Sequence, residues 1–142
     1  MPMDYTGEAV VALTVALRDA HFRMKNIVRE WEESAPAGVA LRRNSIGPAW
    51  QYEESPNSSS YIDGHVLELA NGVEIICQIS IRFDTAGTDL LASISIEGEE
   101  DVFLEPVTTG PNEFPVGSED LVREIGNAVS EMEGIDIFSI DF

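Results

Sequence analysis

The first third of the chain follows a helical pattern of hydrophobic and polar positions. Its apolar residues recur at alternating spacings of three and four, namely Val10, Leu13, Leu17, Ala20, Met24, Ile27 and Trp31. This spacing predicts a helix of about seven turns with one apolar stripe. Asp4 or Thr6 can cap the start of the helix, and the segment from Ser34 to Gly38 ends it. A coiled-coil seam would have the same spacing, but packing across a sheet is favoured because the rest of the chain supplies one.

After the predicted helix, the pattern changes to the alternation that is typical of strands. Val39–Arg43 and Ala49–Glu53 are predicted as two short strands, with a Gly-Pro pair between them. Leu90–Glu97 again places its apolar residues on one face, and Val102–Leu104 is predicted as a further short strand. Together these segments indicate an antiparallel meander.

The middle of the chain carries the strongest hairpin signal. Tyr61–Leu69 and Val73–Phe83 flank Asn71 and Gly72. An Asn-Gly pair accepts the positive φ angles of a tight hairpin turn, whose twist suits the flanking strands. Alternation in the second of these strands predicts one core face and one mostly solvated face.

A second helix is predicted to begin at Ser118, which can cap it. Its apolar side holds Leu121, Val122, Ile125, Val129 and Met132. Gly134 ends this helix, and Ile135–Phe142 closes the chain as an alternating strand or docked tail. The order of elements predicts a single α+β domain over residues 1–142. We expect a two-layer sandwich in which the long N-terminal helix packs on an antiparallel meander of about five to six strands.

Charge is distributed unevenly along the chain. Residues 1–43 hold six basic and six acidic side chains, whereas residues 44–142 hold 20 acidic side chains against Arg82 and Arg123 alone. The net charge of −18 therefore lies in the last two-thirds. Such a charge favours rapid capture of cationic partners, and it repels nucleic-acid phosphates and anionic lipids. We expect a basic protein partner, with no direct binding to nucleic acid or membranes.

The cysteine content and the distribution of apolar residues indicate the cellular compartment in which the protein is expected. The one cysteine, Cys77, excludes an intrachain disulfide, and its apolar neighbours favour a small buried hydrophobe over a reactive thiol. The N-terminal sequence lacks the basic stretch and apolar core of a signal peptide. No segment reaches the ~18 consecutive apolar residues of a membrane span. The expected location is cytoplasmic.

Candidates for catalysis are few, because His21 and His65 are the only histidines. His21 lies beside the apolar stripe of the first helix and is interpreted as a boundary residue. Asp63 and His65 share one face of a strand, where an Asp–His couple can orient an imidazole for general-base catalysis. The same face carries Tyr61 and two leucines, so a position near the edge of the core is the favoured interpretation.

No metal or cofactor site is predicted. The acidic turns at Asp84–Asp89 and Glu97–Asp101 contain glycine, but they do not follow the alternating register of a calcium loop. Two separated histidines and one buried cysteine do not make a tetrahedral zinc site. The glycine-rich phosphate-binding motif that ends in Lys is also lacking.

Two acidic segments are the predicted contact surface for a partner. An aromatic pair on a short strand lies beside two glutamates, in the segment Trp50, Tyr52, Glu53 and Glu54. Trp and Tyr are frequent hot spots of interfaces. The acidic turn at Glu97–Asp101 adds Glu97, Glu99, Glu100 and Asp101.

These features favour a non-enzymatic acidic binding protein, and most specifically a bacterial immunity protein that neutralises a basic toxin. Toxins that attack nucleic acids tend to be basic because their substrate is anionic, so an acidic inhibitor is steered towards them. Three alternatives remain open. They are a small, dimeric, acidic secretion-type chaperone, a nucleic-acid mimic that occupies a DNA-binding protein, and a small enzyme that uses Asp63 and His65.

Overall fold

The computed structural model describes residues 7–35, 40–52, 58–84, 87–97 and 119–135. The elements follow in the order α1 (Gly7–Ser34), β1 (Ala40–Tyr52), β2 (Ser58–Leu69), β3 (Glu74–Asp84), β4 (Gly87–Glu97) and α2 (Glu119–Glu133). All strand pairs are antiparallel, and the order across the sheet is β1-β2-β3-β4. Helix α1 packs on β1 and β2, and α2 packs on α1 and β4. The α+β architecture is confirmed.

The sheet of the described residues has four strands, so the predicted count of five to six is wrong. Over the described residues 40–43 and 49–52, the two short strands predicted at Val39–Arg43 and Ala49–Glu53 are parts of the single strand β1. Gly47 adopts a φ of 75°, and the pairing with β2 shifts register between Ile46 and Ala49. A strand absorbs an interruption through such an irregularity. The strands predicted at Val102–Leu104 and after Ile135 lie outside the described residues.

Helix α1 buries most of its predicted stripe. The buried members are Leu17, Ala20, Met24, Ile27 and Trp31. Val10, however, is 56% exposed, and Ala9 is buried in its place. A strict repeat of three and four drifts about 20° per heptad on a straight helix. Val10 lies three heptads before Trp31, so it has rotated roughly 60° away from the buried face.

One face of the sheet forms the core beneath the helices. It presents alternate residues of β2, β3 and β4, including Leu67, Leu69, Ile75, Cys77, Ile79, Ile81, Leu90, Ala92, Ile94 and Ile96. Cys77 lies against Met132 of α2, with their sulfur atoms 3.4 Å apart. Burial raises the pKa of the Cys77 thiol to about 12. The predicted burial of Cys77 is confirmed.

The opposite face of the sheet is less solvated than the alternation of β3 predicted. Val66 and Ile76 pair across β2 and β3 on this face, and they are only 6% and 7% exposed. Gly64, also on this face, packs tightly, since a Cβ atom there would lie 2.6 Å from the Cys77 carbonyl oxygen. The centre of this face is therefore buried, and its charged residues lie towards its ends.

Helix α2 follows its predicted apolar side closely. Leu121, Ile125, Val129 and Met132 are buried, whereas Val122 is only partly buried. Arg23 of α1 holds the two helices together by hydrogen bonds to Ser130, at 2.9 Å, and to Glu133. Neither described helix is long and apolar enough to cross a membrane.

Two glycines give a matched test of this packing. Gly64→Ala is expected to lower the free energy of unfolding by about 1–3 kcal/mol, because the new methyl group overlaps the β3 backbone. Gly126→Ala on α2 meets nothing within 4 Å. That variant is expected to raise the free energy of unfolding by about 0.5–1 kcal/mol, since alanine favours the helix. Chemical denaturation measures both; equal effects would contradict the close contact between β2 and β3.

Candidate functional site

Trp50 is the member of the predicted aromatic patch whose side chain the structure describes. It lies near the end of β1 and is 56% exposed. Its ring centroid is 5.2 Å from that of Tyr61 and 5.3 Å from that of Phe83. Its pairing with Tyr61 places it on the helix side of the sheet. Trp50 is therefore an exposed aromatic residue that rests on the edge of the core.

The remaining predicted contact residues are described only in part. Tyr52 is the last residue of β1, and its backbone pairs with Ser59. Five predicted residues lie outside the described residues, namely Glu53, Glu54, Glu99, Glu100 and Asp101. Glu97 is the last residue of β4 and is exposed.

Glu97 belongs to a line of carboxylates that the strand register creates. Glu68 of β2 pairs with Glu74 of β3, and Glu74 pairs with Glu97 of β4. Directly paired residues of antiparallel strands project from the same face. We name these three residues the glutamate row. It crosses one end of the sheet, on the face opposite the helices.

The charges of the glutamate row are mostly unneutralised. Arg42, at the β1 end of the row, bonds to Glu68 with its Nε 2.6 Å from Oε2. Within the described parts of the chain, neither Glu74 nor Glu97 has a Lys or Arg nitrogen within 4.0 Å. Trp50 lies far from this row, because its partner Tyr61 is seven positions from Glu68 on β2, roughly 23 Å along the strand. The two features also project from opposite faces.

A second constellation lies buried between α1 and β2. The Asp63 carboxylate is completely buried, and its oxygens lie 2.9 and 3.0 Å from Nδ1 of His21 on α1. The hydroxyl of Tyr61 donates to the same carboxylate at 3.3 Å. The sequence placed Asp63 and His65 on one face correctly, but it missed His21 as the partner of Asp63. The only sequence signal was an acidic residue in an otherwise apolar strand face, which needs a donor from a neighbouring element.

His65 completes this buried network from β2. Its Nε2 lies 3.1 Å from the main-chain carbonyl oxygen of His21. A carbonyl oxygen only accepts, so Nε2 of His65 carries the proton. In the neutral imidazole, Nδ1 is then unprotonated and can accept a hydrogen bond through its lone pair. The two imidazole rings lie 4.7 Å apart. His21 therefore ties α1 to β2 twice, because its side chain bonds to Asp63 and its main-chain carbonyl oxygen accepts from the side chain of His65.

Burial controls the ionisation of this network. Loss of solvent lowers the pKa of His65 below its usual value near 6.5, and the charges of His21 and Lys25 lower the pKa further. Burial, followed by the Asp63 carboxylate, raises the pKa of Tyr61 well above its usual value near 10. His65 and Tyr61 are therefore neutral at pH 7, and Asp63 accepts hydrogen bonds from His21 and Tyr61.

The donor types of this cluster also suit a divalent metal ion. One ligand atom from each of His21, Asp63 and His65 lies within 4.8 Å of the others. Two imidazoles and one carboxylate are a common catalytic zinc set. However, the carboxylate already accepts from His21, and His65 already donates to a carbonyl oxygen. These bonds satisfy the cluster without an ion, so its geometry favours a structural role.

A cleft opens beside this network, between α1 and the edge strand β1. Its volume is about 610 Å³, and it is lined by His21, Lys25, Val28, Glu32, Arg42, Arg43, Asn44, Ser45 and His65. We name it the basic cleft. His21 is 22% exposed here, and because its Nδ1 bonds to Asp63, its Nε2 is the remaining nitrogen.

A second cleft, of about 570 Å³, lies on the other side of His21. It is lined by Thr14, Leu17, Arg18, His21, Phe22, Pro48, Trp50 and Tyr61. Its exposed aromatic side chains are Phe22 and Trp50. The predicted aromatic contact at Trp50 is thus part of a groove beside α1, whereas the glutamate row lies on the opposite face of the sheet.

The lowered pKa of His65 gives a pH-dependent stability. Well above pH 6.5 His65 is neutral in the folded and unfolded states, so its contribution is fully present. As the pH falls below 6.5, the unfolded chain takes up this proton before the folded chain does. The free energy of unfolding is therefore expected to fall as the pH drops below 6.5, by at most about 1.4 kcal/mol per pH unit from this residue.

His65→Gln isolates this contribution, because glutamine retains a side-chain donor and has no titratable group. Denaturation of both proteins at a series of pH values measures the two slopes. The variant should show a smaller slope below pH 6.5. The groups nearest His65, namely His21, Asp63, Lys25 and Cys77, are unchanged in the comparison. Equal slopes would contradict a depressed pKa for His65.

Comparisons with protein-family models, with curated proteins and with solved structures find no match for this chain. The function is therefore argued from the described residues themselves. For that purpose the geometry offers the glutamate row, the buried His–Asp network and the two clefts beside His21.

Proposed function

We propose that this protein binds a basic protein through its acidic sheet surface, and that it acts as a bacterial immunity protein against a basic toxin. The observation that carries the proposal is the glutamate row. Three glutamates lie in direct cross-strand register on one face, Glu68, Glu74 and Glu97. A cationic partner that docks there would neutralise charges that the described part of the chain leaves unpaired.

The glutamate row is unfavourable for the fold by itself. Like charges directly opposite one another on neighbouring strands destabilise a sheet. Glu74 occupies the middle position and has a glutamate on each side. A lysine there would instead make two favourable cross-strand pairs. A residue that costs stability and fills no packing need is typical of a binding surface.

The net charge of −18 extends the effect of the row. A strong field of one sign attracts an oppositely charged protein from a distance and raises the association rate by about 10–10³-fold at low salt. Enzymes that degrade nucleic acids present basic surfaces to an anionic substrate. An acidic protein that reaches such a surface competes with the substrate for the same charges. Charge therefore favours a nucleic-acid-degrading toxin as the partner class.

The proposal is tested with the protein encoded beside the gene for this chain. We expect that protein to be toxic on expression and co-expression of this chain to restore growth. The double variant Glu74→Lys, Glu97→Lys is expected to weaken rescue and to slow association by about tenfold or more at low salt. The single variant Glu74→Lys should have a free energy of unfolding about 0.2–1 kcal/mol higher, because it turns both like-charge pairs, with Glu68 and with Glu97, into opposite-charge pairs.

A matched control separates the site from the net charge. Glu30→Lys, Glu131→Lys changes the net charge equally, but at exposed positions on α1 and α2. This control should retain rescue and should associate faster than the row variant. Stopped-flow binding and growth assays measure both. Equal association rates for the two double variants, or no rescue by the unaltered chain, would contradict the proposal. A stable dimer that holds an extended segment of its partner would instead favour a chaperone.

A further inference from the structure

The basic cleft concentrates positive charge in a strongly acidic protein. The whole chain has eight Lys and Arg residues, and Lys25 of α1 and Arg43 on the helix side of β1 line this one cleft. Glu32 is the one carboxylate in the lining. The local charge therefore has the opposite sign to the charge of the molecule.

Existing ion pairs neutralise this cleft only in part. Arg43 bonds to Glu32, with Nε 3.0 Å from Oε2, whereas the Arg42 side chain bonds to Glu68 on the opposite face of the sheet. Among the described residues, no carboxylate oxygen lies within 4.0 Å of the Lys25 nitrogen. Its positive charge nevertheless acts on the cleft, since it lowers the pKa of His65 across it. Lys25 thus supplies a cation without a counter-charge.

The rest of the lining suits an oxyanion. Arg43 retains guanidinium nitrogens beyond the one bonded to Glu32, and guanidinium matches the oxygens of phosphate. Ser45 pairs with His65 on the helix side of the sheet, and it adds a hydroxyl to the same lining. Val28 is the one aliphatic residue of this lining. A cleft of about 610 Å³ with such a lining fits a small, highly polar ligand better than an apolar one.

The negative charge of the rest of the molecule favours a small ligand over a large polyanion. A nucleic acid would have to bring many phosphates close to a surface of net charge −18, and that repulsion grows with each phosphate. A ligand with one or two phosphates can enter the cleft and contact only its cations. We infer that the basic cleft binds a small phosphate-bearing anion, held by Lys25 and Arg43 with Ser45.

The test uses inorganic phosphate, pyrophosphate and adenosine monophosphate as probes, at ionic strength matched with sodium chloride. Calorimetry and amide NMR shifts on the full chain should show saturable binding, with the shifts centred on residues 25 and 42–45. Lys25→Gln and Arg43→Gln should each weaken binding by about tenfold, because each removes a charge-assisted hydrogen bond. The affinities of phosphate and adenosine monophosphate are compared. Similar affinities indicate a phosphate site, and a higher affinity for adenosine monophosphate indicates a nucleotide site.

Arg123→Gln is the matched control, because Arg123 is exposed on α2 and pairs with Asp120. It removes the same charge outside the cleft and should leave affinity unchanged. Thermal unfolding of each variant without ligand establishes that it folds. Equal weakening by Arg123→Gln, shifts spread over the whole chain, or no saturable binding would overturn the inference. Tighter binding of a single-stranded DNA 12-mer than of adenosine monophosphate would overturn it as well.

Discussion

The buried carboxylate of Asp63 is the constraint on which the arrangement of helix and sheet depends. A carboxylate without solvent costs several kcal/mol unless donors surround it. Asp63 has two such donors, Tyr61 beside it on β2 and His21 above it on α1. A shift of α1 by one residue would rotate His21 by about 100° and move it about 1.5 Å along the helix axis. The apolar stripe tolerates several positions of a helix on a sheet, but the carboxylate tolerates one.

The contact between His21 and Asp63 also determines where the clefts and the charged surfaces lie. Because His21 is fixed over β2, α1 crosses the side of the sheet where β1 is the edge, and clefts form on both sides of that histidine. Basic residues from α1 and β1 then face each other across one of these clefts. The glutamate row lies on the other face of the sheet, where it does not contact either helix. One fold thus separates a local positive cleft from an extended negative surface.

Periodicity along the chain predicted the elements whose signals are local. The stripe of α1, the Asn71–Gly72 hairpin, the apolar side of α2 and the burial of Cys77 all depend on neighbouring positions. The fold of β1 was missed because a Gly-Pro pair usually ends a strand, whereas here a register shift absorbs it. Val10 was assigned to the core because spacing alone does not include the slow drift of the stripe around the helix.

The candidate sites depend on contacts between distant parts of the chain, so the sequence predicted less of them. His21 and Asp63 are 42 residues apart, and no local pattern links them. Glu97 was recognised as acidic and exposed, but its alignment with Glu68 and Glu74 requires the register of three strands. Likewise, Lys25 and Arg43 become neighbours only when α1 lies across β1.

A double-mutant cycle on His21 and Asp63 tests the central claim most directly. The variants are His21→Ala, Asp63→Asn and the double variant, with Asp19→Asn and Arg23→Gln as a control cycle on a more exposed ion pair. Equilibrium denaturation should give a coupling free energy of about 1.5–3 kcal/mol for His21 and Asp63, and less than about 1 kcal/mol for the control. Additive effects of His21→Ala and Asp63→Asn would contradict the claim that this buried pair fixes the helix on the sheet.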